Sequence, residues 1–430
     1  MGGHYINLSI IAILVSTLYG PISHELTVLG VFRTASSAVN SHGQDRRPIH
    51  AVEDTLHCED LHYYPPADQI FTACEDSALS RFKWFPPLAN FDGEADTTGS
   101  IHVIDPRTLI SSRLAFENFS GPFVTHGIDL IPDPEREDAV YIFAVNHLGN
   151  PEHETGNVPR ARSQIELFHH VLQSGNARHV RSIRHPLITT PNDIYAASPR
   201  SFYVTNDHHS REGYKRMAED LLPVAKWSNV IHVQLDRLPG ISAEGGVDAV
   251  VAADGLRNPN GLGHGQSEDE VLLTSAIGGI LYRARPNPLN RTVTVLDHFA
   301  FDSTIDNPSY YRDPYRTSDD DASGYILGGL LRAVDVAQTH NQPHAKEGVM
   351  VWHLRRSPTA TTRDADRDSD SGWEKRLIFE DDGTHIRTAS TALLLPIQSE
   401  ESSKSTSEKK ARLFVTGFVS EAVIAVEVSL

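Results

Sequence analysis

The sequence predicts an all-β protein, a six-bladed β-propeller with a central tunnel and short helical insertions. Two observations lead to this prediction. Short β-rich runs recur in six pairs, at intervals of roughly 55 to 90 residues, which is typical of propeller blades. Acidic and amide residues stand just before or between these pairs, where blades deliver their loops to a central tunnel. The alternative architecture is an irregular array of β-sandwiches.

Each of the six units begins with a turn-forming or charged pair, followed by one β-rich run, a polar break and a second run. The first runs are 69–73, 139–145, 201–205, 270–274, 324–328 and 412–416. The second runs are 100–104, 164–168, 229–233, 279–282, 348–352 and 422–426. Six units of this kind predict six blades.

Few segments of the sequence have the periodicity of a helix. Residues 213–224 form a short amphipathic insertion, and we expect its apolar side to pack as a lid over one propeller face. Residues 357–371 and 399–410 are polar and heavily charged, which predicts loops without chemistry of their own.

The composition is that of a globular protein, with 430 residues, of which 39% are hydrophobic and 22% charged. The formal net charge of −18 argues against nucleic acid, which needs a basic face, and against electrostatic binding to anionic lipid. This length fits two or three domains, or one large all-β unit. We expect one propeller domain over residues 55–430.

The N-terminus is apolar from Tyr5 to Leu18, which fits a secretory signal better than a membrane span of about 20 residues. We therefore expect entry into the secretory pathway through residues 1–22, as a signal peptide or as an uncleaved anchor able to associate with a membrane or lipid. Residues 23–54 would be an N-terminal extension. The alternative is that the apolar segment is a strand or helix of the fold. Sequons at Asn118 and Asn290 predict glycosylation and agree with secretion.

The two cysteines, Cys58 and Cys74, are too few for a disulfide framework, and they form no zinc motif. They pair with each other only if their strands are neighbours, which the sequence leaves open.

Oxygen-bearing side chains stand at four separated places before or between the β units. They are Glu59–Asp60, Asn192–Asp193, Asn260 and Asp306–Asn307. Calcium takes six to eight oxygen ligands, mixing carboxylates with amide and backbone carbonyls. Because adjacent residues of an extended chain point in opposite directions, a dipeptide can serve two stacked ions. The alternative for any single pair is a turn, since Asn and Asp side chains bond nearby backbone groups.

Two of the 23 histidines, His126 and His147, lie near strand ends and are separated by about the reach of one hairpin. Paired imidazoles near a metal-bound carbonyl can act as a base and its supporting group. The alternative is a structural role for each histidine. The sequence has no zinc motif, no phosphate-binding loop and no Gly-x-Ser-x-Gly elbow.

The chain resembles the serum paraoxonase/arylesterase family in an ordered set of motifs between about residues 55 and 430. The matching segments are Cys58-Glu-Asp-Leu, His126-Gly-Ile, Val145-Asn-His147, Ile183-Arg-His185, Asn192-Asp-Ile194, Phe202-Tyr-Val-Thr-Asn-Asp-His208, Trp227-Ser228, Pro259-Asn-Gly261, Ile305-Asp-Asn307 and Gly417-Phe-Val-Ser-Glu-Ala. The resemblance implies a six-bladed propeller with two calcium ions in its tunnel. It also implies hydrolysis of small lactones and aryl esters by the domain at 55–430.

The resemblance also implies roles for individual residues. The catalytic calcium would be bound by an upper set: Glu59, Asn192, Asn260, Asp306 and Asn307. A deeper structural calcium would be bound by a lower set: Asp60, Asp193 and the backbone carbonyl of Ile128. The family's histidine dyad falls on His126 and His147, while Asp207 and His208 match residues that line the active site. The family's disulfide to the C-terminal tail has no counterpart, because this tail contains no cysteine.

Two rival functions fit parts of the same sequence. A non-catalytic secreted binding module would use calcium to hold its tunnel shut, would bind a partner through loops on one face, and would not need His126 and His147. A single-metal enzyme of the gluconolactonase or strictosidine-synthase type would need fewer oxygen ligands and would leave Asp60 and Asp193 without a metal.

Overall fold

The computed structural model describes residues 19–34, 47–240, 242–357, 372–397 and 409–430. Within these ranges, six sheets form the blades of a β-propeller, which confirms the predicted fold class. The helices are α1 (residues 19–28), α2 (Ser80–Lys83), α3 (Gly213–Leu221) and α4 (Ala333–Thr339).

The strands follow one another blade by blade. Strand β1 (Ile49–Val52) precedes blade 1, which contains β2 (Leu61–Tyr64), β3 (Gln69–Glu75), β6 (Gly99–Ile104) and β7 (Ser111–Arg113), with the hairpin β4 (Trp84–Phe85) and β5 (Asn90–Phe91) inserted. Blade 2 contains β8 (Ala115–Glu117), β9 (Thr125–Asp133), β10 (Arg136–Asn146), β11 (Gln164–Val171) and β12 (Asn176–Ile183). Blade 3 contains β13 (Pro191–Ser198), β14 (Ser201–Asn206), β15 (Ser228–Leu235) and β16 (Val247–Leu256).

The second half of the ring repeats this pattern. Blade 4 contains β17 (Pro259–His264), β18 (Val271–Ser275), β19 (Ile280–Asn287) and β20 (Thr292–Ala300). Blade 5 contains β21 (Pro308–Tyr311), β22 (Gly324–Leu330), β23 (Val349–Arg356) and β24 (Trp373–Asp381). Blade 6 contains β25 (Ala389–Pro396), β26 (Lys410–Gly417), β27 (Val423–Ser429) and, at its edge, β1. The predicted pairs of β-rich runs are the second and third strands of the six blades.

The first strands of the blades line the central tunnel. Strands β2, β9, β13, β17, β21 and β25 contact one another in that order, and β25 contacts β2. Each blade therefore delivers the start of its first strand to the same end of the tunnel.

The ring is closed by backbone pairing. Strand β1 pairs antiparallel with β27, with Ile49 opposite Val426 and Val52 opposite Val423. The chain therefore completes blade 6 with a strand from before residue 55.

Alternating side chains on each strand fill the cores on both sides of a blade. On β10, Ile142 packs with blade 1, whereas its neighbours Phe143 and Val145 pack with blade 3. Because side chains alternate between the two faces of a strand, one buried β-rich run serves two interfaces.

The orientation predicted for the amphipathic insertion is wrong. Helix α3 buries Arg216 and Glu219 and exposes Tyr214, Met217 and Leu221. The charged side turns inward because it finds partners there: Arg216 donates to the Pro87 carbonyl, and Glu219 accepts from two backbone amides.

Most of the remaining segments singled out in the sequence lie outside the described residues. These are residues 1–18, which include the apolar terminus, and most of the two charged segments, residues 358–371 and 399–408. Lys409 is described and binds the buried Asp313 carboxylate at 2.6 Å. In the ranges given above, no helix has the length and apolar character needed to cross a membrane.

Candidate metal centre and histidine pair

The predicted oxygen donors meet at the end of the tunnel where the first strands begin. Glu59 and Asn307, from blades 1 and 5, are joined by a hydrogen bond of 3.0 Å from Asn307 Nδ2 to Glu59 Oε1. The Thr205 hydroxyl donates to the Asn260 carbonyl at 2.6 Å and accepts from the Asp193 amide at 3.0 Å. The first contact links blades 1 and 5, and the contact from Thr205 to Asn260 links blades 3 and 4. We call this end of the tunnel, with the upper and lower sets of residues, the hub.

Two glycines allow this close approach of the first strands. A Cβ atom at Gly127 would lie 2.4 Å from Asp193 Oδ1, and one at Gly261 would lie 2.5 Å from Asn307 Cα. Any larger residue at these positions would therefore force the donor-bearing strands apart.

Five buried side-chain oxygens in the hub have no hydrogen-bond partner. They are Glu59 Oε2, Asn192 Oδ1, Asn260 Oδ1, Asp306 Oδ1 and Asn307 Oδ1. A buried polar atom without a partner is costly, and native proteins rarely tolerate one. Here all five are acceptors, and they belong to the five residues of the upper set. Their chemistry fits a hard cation such as Ca²⁺.

The upper set is built mainly from amides. Among the residues that the structure describes, no three His, Cys, Asp or Glu side chains cluster in a way suited to a metal ion. Only Glu59 and Asp306 of the upper set belong to these four residue types. The other three members are asparagines, so the upper set is not a cluster of that kind.

The electrostatics of the hub favour a positive charge. Burial, with the charges of Asp306 and Asp60, raises the pKa of Glu59 well above its usual value. Burial also raises the pKa of Asp306, to about 7, and the charges of Asp60 and Asp207 act in the same direction. The pKa of Asp193 is raised by burial and by its acidic neighbours. A bound cation would relieve this repulsion.

In the lower set, the Asp60 carboxylate already has hydrogen-bond partners within the protein. Asp60 accepts four hydrogen bonds, including one of 2.9 Å from His62 Nε2 and one of 3.1 Å from the Ile128 amide. Burial opposes the charges of Asp60 and His62, but their attraction prevails. The pKa of Asp60 is lowered and that of His62 is raised to about 9. The lower set therefore fits a metal ion less well than the upper set does.

Blade 6 supplies hydroxyl groups that sequence reasoning missed. Ser390 donates to Glu59 Oε1, and Thr391 donates to Asp60 Oδ1 at 2.7 Å. Both lie near the start of strand β25, as Asn192, Asn260 and Asn307 lie near the starts of the first strands of blades 3, 4 and 5. Aligning the starts of all six first strands would have identified them, as it would have identified His62 two residues beyond Asp60.

The two predicted histidines form a buried pair beside the upper set. His126 Nδ1 lies 3.1 Å from His147 Nε2, and His147 Nδ1 lies 2.9 Å from the Ser163 hydroxyl. On its other side, His126 Nε2 is 3.9 Å from Glu59 Oε1. The pair thus points from the blade 2 interior toward the hub.

The inserted segment from α2 to β5, called the covering segment below, covers the outer side of the histidine pair. The Phe85 ring contacts the rings of His126 and His147 edge-on, with centroids 5.1 and 5.7 Å apart. The guanidinium of Arg81 stacks 4.3 Å from the centre of Phe85. Burial is the main cause that lowers the pKa of both histidines, to about 3 for His147, and the charge of Arg81 contributes. Both imidazoles are therefore neutral at neutral pH.

The covering segment is anchored by buried polar contacts. Arg81 is fully buried, binds Glu75 at 3.1 Å and donates to the Thr125 carbonyl at 2.6 Å. The Trp84 indole donates to the His147 carbonyl at 2.8 Å. These bonds fix the segment directly to the histidine pair.

Asp207 and His208 lie between the histidine pair and helix α3. His208 Nδ1 is 3.1 Å from Asp207 Oδ1, and His208 Nε2 is 2.7 Å from Asp220 of the helix. Burial opposes the charge of Asp207, but His208 and Arg216 outweigh it and lower its pKa. Asp207 is thus a buried anion whose charge acts on both His126 and His147.

The two cysteines are paired. Cys58 and Cys74 form a disulfide across buried neighbouring segments, with their Cα atoms 4.0 Å apart. Cys58 directly precedes Glu59, so the disulfide restrains the loop that supplies both Glu59 and Asp60. The sequons at Asn118 and Asn290 are exposed.

Comparisons with known proteins identify the family. The family model described as Arylesterase matches residues 82–315, more than half of the chain. Serum paraoxonase/arylesterase 2 of Canis lupus familiaris is 26% identical over 285 residues, which are 64% of this chain and 70% of that relative. Serum paraoxonase/arylesterase 1 of Mus musculus is 29% identical over 201 residues, 47% of this chain and 48% of that relative.

A solved structure of PQQ-bound aldose sugar dehydrogenase from Streptomyces coelicolor covers 90% of this chain and 99% of its own, at 12% identity and a TM-score of 0.45. A likeness of this strength carries no argument about function. The ring of blades, the hub and the family match together define a β-propeller hydrolase. The chain belongs to the arylesterase family.

Proposed function

We propose that this chain is a calcium-dependent hydrolase of lactones and aryl esters, with the upper set as metal ligands and His126 and His147 as the groups that activate water. The observation that supports this most strongly is the coincidence of two features. Five unpartnered oxygens converge in the hub, and a buried histidine pair opens onto the same place.

The role of the upper set is to hold a charge where the reaction needs it. The upper set would hold a calcium ion, whose positive charge would stabilise the negative charge that develops on the ester carbonyl oxygen as water adds. Glu59 and Asp306 together offset the charge of the ion. The three asparagines add neutral oxygens, which complete the coordination without further negative charge.

The role of His126 is to accept a proton from the attacking water. Its Nε2 faces Glu59 and the hub, and its Nδ1 faces His147 Nε2. In the tautomer of His126 that carries its proton on Nδ1, this N–H donates a hydrogen bond to His147 Nε2. The lone pair of His126 Nε2 is then free to act as the base. His147 in turn is oriented by the Ser163 hydroxyl. A carboxylate of the upper set is the alternative base, so loss of His126 should weaken activity without abolishing it.

The covering segment keeps bulk water from the back of the histidine pair. Trp84 and Phe85 are nearly inaccessible and pack against this side of the pair. We infer that the substrate reaches the hub from the side of Asn260 and Asp306, which are only half-buried.

Two rival functions are less well supported. A non-catalytic calcium-stabilised propeller gives no reason for a buried histidine pair aimed at the hub, and membership of the arylesterase family favours a hydrolase. A single-metal enzyme of the gluconolactonase type would bind one ion, leave Asp60 and Asp193 without a metal and act on sugar lactones, whereas the Arylesterase family match favours a hydrolase of esters and lactones. The substrate panel below separates these two enzymes.

We infer that the protein enters the secretory pathway through its apolar N-terminus. The Cys58–Cys74 disulfide fits an oxidising compartment, and both glycosylation sequons are accessible. Binding of the N-terminal segment to a membrane or lipid remains a proposal that rests on its sequence.

The test is a panel of lactones, phenyl acetate and sugar lactones, assayed before and after treatment with EDTA. We expect hydrolysis of simple lactones and phenyl acetate, loss of activity with EDTA and recovery with added Ca²⁺. Asp306→Asn should lower both calcium content and activity, while the exposed control Asp254→Asn should change neither. Full activity in Asp306→Asn with unchanged calcium content would refute the metal assignment.

A further inference from the structure

We propose that the hub of this chain holds one calcium ion, in the upper set, and that His62 occupies the place beside Asp60 where the family resemblance implies a second ion. This inference rests on the proposed function and deepens it, because it concerns the number of ions that the hub binds.

Hydrogen bonds from the protein fill the acceptor positions of the Asp60 carboxylate. An ionised carboxylate offers about four lone-pair positions. Asp60 Oδ1 accepts from the Leu61 amide at 2.8 Å and from the Thr391 hydroxyl at 2.7 Å. Asp60 Oδ2 accepts from His62 Nε2 at 2.9 Å and from the Ile128 amide at 3.1 Å. All four positions are in use, so Asp60 has none left for a cation.

The oxygens of the upper set differ from those of Asp60 and Asp193 in their hydrogen bonding. Each of its five residues keeps one oxygen without any partner, although the oxygens are buried. Every carboxylate oxygen of Asp60 and Asp193 has a hydrogen-bond partner. The two oxygens of Asp193 accept hydrogen bonds from the backbone amides of Ile194 at 2.7 Å and Leu262 at 2.6 Å. The same tunnel thus has one level with five unpartnered oxygens and one level where every carboxylate oxygen of Asp60 and Asp193 already accepts a hydrogen bond.

His62 is held in place on the side away from Asp60 by Asp129. His62 Nδ1 lies 3.6 Å from Asp129 Oδ1. Asp129 is itself buried and fixed, accepting from the Ala196 amide at 2.7 Å and lying 2.8 Å from His264 Nε2. The imidazole therefore spans two carboxylates along the tunnel, and it cannot swing aside to admit an ion without breaking both contacts.

The side chain at position 62 should then set the calcium stoichiometry. His62→Gln keeps an N–H donor toward Asp60, so this variant should bind one ion, like the wild type. His62→Glu replaces the donor by an acceptor, frees one lone pair of Asp60 and adds a carboxylate, so this variant should bind two ions. The pair of variants differs by a single functional group, which makes each the control of the other.

The experiment is equilibrium dialysis of the full chain against radioactive Ca²⁺, with native mass spectrometry as a second count. We expect one ion in the wild type and in His62→Gln, and two in His62→Glu. Two ions in the wild type would overturn this inference and leave the proposed function intact. No calcium in the wild type would overturn both. If His62→Glu does not fold, the wild-type count decides alone, with Asp193→Asn expected to keep one ion and Asp306→Asn to lose it.

Discussion

Removing the metal should make the stability of the folded chain depend on the ionisation of Asp306. In the metal-free protein, burial and the charges of Asp60 and Asp207 raise the pKa of Asp306 from 3.8 to about 7. The folded chain therefore binds this proton more tightly than the unfolded chain does. Its contribution to stability is full below about pH 4 and is lost as the pH rises through 7. Between pH 5 and pH 8, this difference in pKa corresponds to a loss of roughly 2 to 3 kcal/mol in the free energy of unfolding.

The assay is urea unfolding in EDTA at pH 5 and pH 8, for the wild type and for Asp306→Asn. The variant carries no titrating group at this position, so the comparison cancels the contributions of groups that Asp306 does not influence and leaves those of Asp306 and of Glu59, whose pKa Asp306 helps to raise. We expect the wild type to lose roughly 2 to 3 kcal/mol more than the variant over this range. Calcium at a hundredfold excess over its dissociation constant should return about 2.7 kcal/mol to the wild type at pH 8. Equal pH dependence in both proteins would refute the electrostatic reasoning.

Three further predictions concern single features of the hub and its cover. His126→Gln should lower lactone turnover by roughly a hundredfold or more at unchanged calcium content, whereas His232→Gln, a buried histidine away from the hub, should leave turnover unaffected; unchanged turnover in His126→Gln would contradict the role of the pair. Replacing Cys58 and Cys74 together by alanine should lower the free energy of unfolding by about 3 kcal/mol, because the disulfide closes a loop with a sequence separation of 16. The same replacement should weaken calcium binding, because Glu59 adjoins Cys58. Chemical denaturation tests the first effect, and calcium titration tests the second. Arg81→Met should cost about 3 to 5 kcal/mol of unfolding free energy, since it leaves a buried carboxylate unpaired; a loss below 1 kcal/mol would show that the cover is not anchored as described.

The number of blades was predictable because the second and third strands are buried on both faces. Runs such as 139–145 are β-rich and apolar, so they stand out in the sequence without any tertiary information. The first strands were not predictable in the same way. Strand β17, Pro259–His264, contains two glycines, and β21, Pro308–Tyr311, has only four residues. These strands are specified by the ring around them, and local β-propensity contributes little.

The hub was predictable in part, because Asn and Asp pairs before β-rich runs are conspicuous. Ser390 and Thr391 were missed, because hydroxyl residues before a strand are common and carry no signal without the ring. His62 was missed as well, since its importance depends on the hydrogen bonds that saturate Asp60. The pairing of Cys58 with Cys74 needed the same tertiary information.

Helix α3 shows a different limit of sequence reasoning. Its amphipathic pattern correctly predicted a helix, but the pattern does not say which side is buried. Charged side chains bury readily when each finds a partner, as Arg216 and Glu219 do. The segment also ends at Leu221, earlier than the predicted residue 224, because Pro223 cannot continue a helix.

The most direct test of the account is a crystal structure of the protein grown with Ca²⁺. We predict one strong peak in the tunnel, about 2.3 to 2.6 Å from oxygens of Glu59, Asn192, Asn260, Asp306 and Asn307. A hub without such a peak, with the Glu59 and Asp306 carboxylates bound only to protein or water, would contradict it.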